Sequence, residues 1–151
     1  MDKKIRNAVR TFLIKDGKIV VIKYKDRNAG FYDIPGGKIE DGETKEDASI
    51  REFKEETGIT ITSQHYLGHM SVEYPDIIYE FEVFKVIDYI GTPREFLNNS
   101  SMWVDIETIL NQSKIFASIK AIDYLKDDMN INVECDSNHN IIKIEMSDSN
   151  E

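Results

Sequence analysis

Glu52, Glu55 and Glu56 are spaced i, i+3 and i+4, so on a helix their side chains share one face. Like charges at that spacing repel, and the arrangement costs stability unless something neutralises it. A hard divalent cation with oxygen ligands does so. Mg²⁺ is commonly held by a few carboxylates together with substrate phosphate oxygens, which suits a cluster placed after a Gly-rich loop. The bland alternative is a solvated helical face, where charge runs usually lie.

These residues need a helix behind a loop, and the sequence supplies both. A helix is expected from about Thr44 to Thr57, with Thr44 as N-cap, Asp47 three residues on, and Gly58 as the C-terminal stop. Ahead of it stand Pro35-Gly36-Gly37 and the EDGE turn, Glu40–Glu43. Ala8–Ile14 and Ile19–Tyr24 are β-rich and flank the turn signal Asp16-Gly17, so they read as a hairpin with loop Lys15–Lys18. Phe31–Ile34 suits a short strand. Tyr66–Tyr74 and Ile77–Ile90 suit two strands joined around Pro75-Asp76, and the second alternates over Tyr79–Val83. Met102–Val104 leads to Asp105, a cap for a short helix over Ile106–Leu110. Ser113 is placed to cap a second helix, Lys114–Leu125. In the tail, Ile131–Cys135 and Ile141–Met146 form a candidate hairpin, and the final Ser-Asp-Ser-Asn-Glu reads as disordered. The expected organisation is one domain over residues 1–126 and a C-terminal extension over 127–151.

Taken whole, the segment from Gly37 to Ile59 runs Gly37, five residues, Glu43, seven residues, Arg51-Glu52, Phe53, one residue, Glu55-Glu56, one residue, Gly58, Ile59. This resembles the Nudix box at every fixed position, and Ile34-Pro35-Gly36 resembles its usual lead-in. Many fixed residues at fixed spacing make the motif far more specific than a lone Gly-rich loop. The resemblance implies an α/β (α+β) fold of the Nudix type, an α/β/α sandwich with a mixed β-sheet between helices. It also implies a Mg²⁺-dependent pyrophosphohydrolase, with Mn²⁺ as a substitute. By position, Glu52, Glu55 and Glu56 are the metal-binding carboxylates, joined by the Gly37 carbonyl oxygen. Arg51 pairs with Glu43 and braces the loop, as a guanidinium fork can. Bound Mg²⁺ lowers the pKa of a water and polarises a phosphoryl group. The base that takes the proton is expected to be Glu55 or Glu56.

Outside the box the chain is loosely similar to the MutT branch, over roughly residues 3–125. The parallels are the opening AV strand, PGGKIE-x-GET, Tyr74-Pro75-Asp76, Gly91–Pro93 and Trp103. That branch cleaves nucleoside triphosphates to monophosphate and pyrophosphate. It carries a Glu just before the Trp. Here Leu97 occupies that position and Glu95 lies two residues earlier, as a further candidate ligand or a surface carboxylate. The Asn that reads oxidised guanine in that branch has no match near Ile115–Ser118. ADP-ribose or sugar-nucleotide hydrolysis is the alternative, for Pro75 stands where such relatives carry a Pro, without its usual Ser and Gly neighbours. Tyr74 or Tyr79 keeps dinucleoside polyphosphates open. A non-catalytic nucleotide-sensing domain is the reading from another class.

Tyr24, Phe31, Tyr79, Phe81 and Trp103 are candidates for a base-stacking wall, with Phe81 and Trp103 better suited to the core. Arg10, Lys23 and Lys25 are candidates to meet phosphates. His65 and His69 read as strand residues rather than a zinc pair, and His139 as solvated.

The net charge of −9 argues against sequence-independent binding of DNA or RNA. It allows a small phosphorylated substrate reached through a metal. No apolar run approaches the ~20 residues that cross a bilayer, and no signal-type run follows Met1–Arg6. The single Cys135 reads as an incidental strand residue in a reducing compartment. The expectation is a cytoplasmic enzyme, monomer or homodimer, without nucleic-acid or membrane partners.

Overall fold

A computed structural model describes residues 2–26 and 28–147. Residues 148–151, the greater part of the tail expected to be disordered, lie outside the described residues. A mixed sheet forms the centre. Its strands are β1 (Lys4–Phe12), β5 (Gly36–Lys38), β6 (Thr60–Glu73), β7 (Ile77–Ile90), β9 (Met129–Cys135) and β10 (Ile141–Met146), in the order β10-β9-β6-β7-β1-β5. β1 runs parallel to β7, and β9 parallel to β6; the other pairs are antiparallel. A smaller sheet joins β2 (Ile14–Lys15), β3 (Lys18–Tyr24), β4 (Tyr32–Asp33) and β8 (Asn99–Asp105).

The period-2 alternation of each strand decides which layer it faces. In β1, Ala8 and Phe12 join the large core on one face, while Val9, and Leu13 just past the strand's end, point to the other. β7 divides likewise, with Phe81 and Val83 against Phe84 and Val86. The second face is covered by helix α1 (Lys45–Thr57), which buries Ala48 on Val9 and Phe84, and Phe53 among Leu13, Val20, Ile59 and Val86. Ser49 pins it to β1 through a 2.7 Å hydrogen bond with Thr11. The first face packs on the smaller sheet and on short helices α2 (Ile106–Leu110) and α3 (Ala117–Lys120), which contribute Ile109 and Ile119.

The α1 boundaries follow local chemistry. Thr44 Oγ1 accepts from the Asp47 N–H at 3.1 Å, Glu46 and Asp47 occupy the first turn, and Gly58 ends the helix at φ 81. The hairpin read over Ala8–Ile14 and Ile19–Tyr24 is confined to Leu13–Lys15 against Lys18–Val20, because Ala8–Phe12 pairs with β7 in the larger sheet. Two further expectations are corrected. The helix read over Lys114–Leu125 is a single α turn, α3, followed by a 3₁₀ turn at Ala121–Tyr124. Its first residues are extended instead: the Tyr32 N–H donates to the Lys114 carbonyl at 2.9 Å and the Phe116 N–H to the Tyr32 carbonyl at 3.0 Å. Strand pairing with β4 therefore outweighs the helical spacing of Ile115, Ile119 and Ile122. The second correction is His139, which packs among aromatic rings rather than standing in water.

The tail hairpin is built into the sheet. Met129, Ile131, Val133 and Cys135 all point into the large core. Burial pushes the Cys135 thiol up to about 11, which leaves it unreactive.

Candidate active site

The loop from β5 to α1 and the last two turns of α1 bring the box residues together. Arg51 is the hub. Its Nε and Nη2 donate to the two Glu43 oxygens at 2.7 and 2.9 Å, and Nη2 also reaches the Lys38 carbonyl at 3.0 Å. Nη1 donates to Glu52 at 2.9 Å and to Glu55 at 3.3 Å. The guanidinium hydrogen bonds lower the Glu43 carboxyl to about 2.

Glu56 turns the other way. Its Oε1 accepts from the Gly36 N–H at 2.8 Å, at the edge of the main cavity. Burial pushes this carboxyl up to about 8, with Glu52 and Asp33 adding to the effect and Arg10 and the Gly36 N–H opposing it. Burial raises Glu52 as well. Two acidic groups are thus held where the negative charge is costly, which is the environment a divalent cation relieves. Among the described residues, no three His, Cys, Asp or Glu side chains converge as a ready-made metal cluster. Arg51 draws Glu52 and Glu55 toward itself and Gly36 draws Glu56 away.

The donor set nonetheless fits a hard cation, being all oxygen. Gly37 provides a second sign. A Cβ at this position would lie 2.5 Å from the Glu52 carboxyl carbon, so only glycine lets this backbone lie against that carboxylate. Glu95 sits apart, 75% exposed on the loop before β8, beside Lys25 at 3.5 Å and Ser100 at 3.2 Å.

From Gly36 and Gly37 a cavity of about 860 Å³ opens over one face of the larger sheet. Arg6, Arg10, Tyr24, Asp33, Tyr74, Tyr79, Phe81, Phe116 and His139 are among its lining residues. Arg10 stands over the Phe81 ring at 4.5 Å and donates to Asp33 at 3.3 Å. Burial opposes its charge, but Asp33, Tyr24, Glu56 and Tyr79 together outweigh that and hold the guanidinium charged. Its Nε is the one buried side-chain polar atom, among the described residues, without a hydrogen-bond partner. Tyr79 stacks on Phe81, with ring planes 6° apart and centroids at 5.5 Å.

Arg10, Tyr24, Tyr79 and Phe81 therefore meet in the cavity. Phe31 flanks it, packed on Phe116 at 5.6 Å. Trp103 lies on the α1 side with Tyr89. Lys23 rests over Tyr32 and Lys25 donates to the Phe96 carbonyl at 2.8 Å; neither lines the cavity. His65 pairs with Asp127, and His69 with Glu80 and Glu82. Asp33, Phe116 and His139 were not singled out as site residues. Asp33 carried a faint signal, an acid in an otherwise apolar strand leading into Pro-Gly-Gly.

A family model, the NUDIX domain, matches residues 4–122. The chain belongs to the Nudix family. Among relatives, an oxidized purine nucleoside triphosphate hydrolase from Danio rerio is 30% identical over 100 residues, covering 64% of each chain. An ADP-ribose pyrophosphatase from Methanocaldococcus jannaschii is 37% identical over 86 residues, covering 56% of this Nudix chain and 51% of the relative. The match thus spans less than two thirds of either relative. A MutT protein from Bacillus halodurans has the same fold, with a TM-score of 0.76 at 17% identity, covering 94% of this chain and 97% of its own. Among the described residues no helix is long and apolar enough to cross a membrane.

Proposed function

We propose that this Nudix protein hydrolyses a phosphoanhydride bond of a nucleoside triphosphate, giving a monophosphate and pyrophosphate. The observation that carries the reading is the continuity of the cavity. It runs from the Gly36-Gly37 backbone, against which Glu52 and Glu56 lie, to a wall of aromatic rings with Arg10 between them. One end offers groups for phosphates and a cation, the other a surface for a flat base.

Glu52, Glu55, Glu56 and the Gly37 carbonyl oxygen would hold Mg²⁺, or Mn²⁺ in its place. When bound, that ion supplies an activated water and neutralises charge on the phosphoryl oxygens. The chain's own residues do the rest. Arg51 ties the loop to the helix, so that Gly37 and Glu52 keep their positions. Arg10, held charged at the cavity wall, attracts the substrate phosphates. Glu55 is the better placed of the two candidate bases. Its side chain is 57% exposed and, among the described residues, is held by the 3.3 Å contact to Arg51, so one carboxylate oxygen is open to accept a proton from the attacking water. A cytoplasmic setting and a small nucleotide as the partner complete the reading.

Hydrolysis of ADP-ribose is the second reading. The M. jannaschii relative supports it, as does Pro75 at the cavity mouth beside Tyr74 and Asp76. A panel assay in Mg²⁺ with canonical and oxidised NTPs and dNTPs, ADP-ribose, sugar nucleotides and dinucleoside polyphosphates separates the two. Pyrophosphate and a monophosphate from a triphosphate are expected. Turnover of ADP-ribose alone would replace the first reading with the second, and no turnover with retained binding would make this a sensing domain.

A further inference from the structure

The C-terminal hairpin, β9 and β10, lies outside the residues that the family model matches. Its loop still forms part of the cavity wall, since Ser137 and His139 line it beside Tyr74, Phe116 and Ser118. The loop is held from within. The Asp136 carboxylate accepts from the Asn138 and Asn140 N–H groups at 2.8 and 3.0 Å and from Asn140 Nδ2 at 3.1 Å. His139 adopts φ 66, and its carbonyl accepts from Lys120 Nζ at 3.1 Å.

The imidazole is thereby delivered into an aromatic cluster. Its centroid lies 4.2 Å from that of Phe116, 5.3 Å from Tyr74 and 5.5 Å from Phe31. Nδ1 is hydrogen-bonded to the Tyr74 hydroxyl at 2.8 Å. Tyr74 continues the row to Tyr79 at 5.9 Å, and Tyr79 to Phe81 beneath Arg10. Burial, helped by the Lys120 charge, holds the imidazole below its ordinary range. A neutral ring is a poor partner for phosphate and a good one for another flat ring. Arg10 and the glycine backbone occupy the phosphate role, which leaves the base to the hairpin.

We propose that His139, carried into the cavity by the C-terminal hairpin, is a specificity-determining residue that holds the nucleobase of the substrate together with Tyr74 and Phe116. The proposal rests on the reading that this cavity takes a nucleotide. It assigns base selection to a segment beyond the family match, so relatives that differ there would differ in the base they prefer.

The test uses the full chain without metal. Wild type and His139→Asn are titrated calorimetrically with AMP, GMP, CMP, UMP and ribose 5-phosphate. Asn accepts a positive φ, so the loop geometry is retained while the ring is lost. For the tightest monophosphate, Kd is expected to rise about tenfold or more, as loss of a base-stacking side chain does, while ribose 5-phosphate shifts by less than about twofold. Equal Kd values for wild type and variant would overturn the proposal while leaving the nucleotide reading intact. So would wild type binding ribose 5-phosphate as tightly as every monophosphate. Absence of both nucleotide binding and nucleotide turnover would sink the underlying reading and this one with it. Should His139→Asn fail to fold, Phe116→Leu removes the ring on the other side of the imidazole and carries the same expectation.

Discussion

Arg51 and Glu43 meet as a fork and its complement, with Nε on Oε2 at 2.7 Å and Nη2 on Oε1 at 2.9 Å. The same guanidinium bonds Lys38, Glu52 and Glu55, so one side chain sets the distance between the glycine loop and the carboxylate face. A lysine keeps the charge but not the fork. Arg51→Lys is therefore expected to retain the fold and lose on the order of 100-fold in kcat/KM, the scale on which misplaced groups cost rate. Steady-state kinetics beside a thermal melt checks this; a loss confined to the melt would make Arg51 merely structural.

The Glu43 carboxyl lies at about 2, below its ordinary 4.5, because Arg51 hydrogen-bonds its charged form. A depressed carboxyl contributes stability that is fully present above the unfolded value and disappears as pH falls through the folded one. The gap in Tm between wild type and Glu43→Gln is thus expected to be constant above about pH 5 and to close toward pH 2. A gap that persists at pH 2 would show that Glu43 acts through something other than its charge.

Gly37→Ala places a methyl 2.5 Å from the Glu52 carboxylate. One of the two must move. Only the end of the flexible Glu52 side chain is in the way, so the expected cost in urea unfolding is below about 1 kcal/mol, while the displaced carboxylate brings severe loss of turnover. Wild-type turnover would show that this backbone does not need its closeness to Glu52.

For Glu56→Gln the fold is expected to stay intact by circular dichroism, while turnover falls by more than about 100-fold, beyond the cost of losing an outer-shell partner of a metal site. The stabilisation that added Mg²⁺ gives wild type should shrink in the variant, which a melt with and without Mg²⁺ measures. Near wild-type turnover would remove Glu56 from the metal set.

Ile131 is fully buried in β9. Ile131→Ala is expected to destabilise by about 2–5 kcal/mol, as deletions in a packed core do. Denaturant unfolding followed at Trp103 reports it. A loss below about 0.5 kcal/mol, the range of surface changes, would mean the C-terminal hairpin is dispensable to the core.

The loop and helix of the Nudix box were legible in the sequence because each of their requirements is local. Thr44, Asp47 and Gly58 fix the helix ends, and Glu52, Glu55 and Glu56 share a face by spacing alone. The alternation over Tyr79–Val83 made one buried face of β7 legible for the same reason, while the burial of Phe84 and Val86 on its other face depends on α1 and was not. His139 was not. Its environment comes from Tyr74 and Phe116, which are distant in sequence, and the polar loop around it looked like solvent. The helix read over Lys114–Leu125 failed through the same kind of long-range effect. Ile115 has helical spacing, but its neighbours are claimed by Tyr32 on β4.

The two parallel pairings carry a consequence for how the chain reaches this state. Lys4 pairs with Ile77 and Gly68 with Met129, so neither pairing forms from neighbouring chain. Long loops must close before those contacts give any return, which favours folding in milliseconds to seconds rather than microseconds. Until β7 exists, β1 has only the three-residue β5 beside it in the larger sheet, and β6 offers an open edge until β9 arrives. During that interval the open edge of β6 is the part of the molecule most exposed to pairing with the wrong partner.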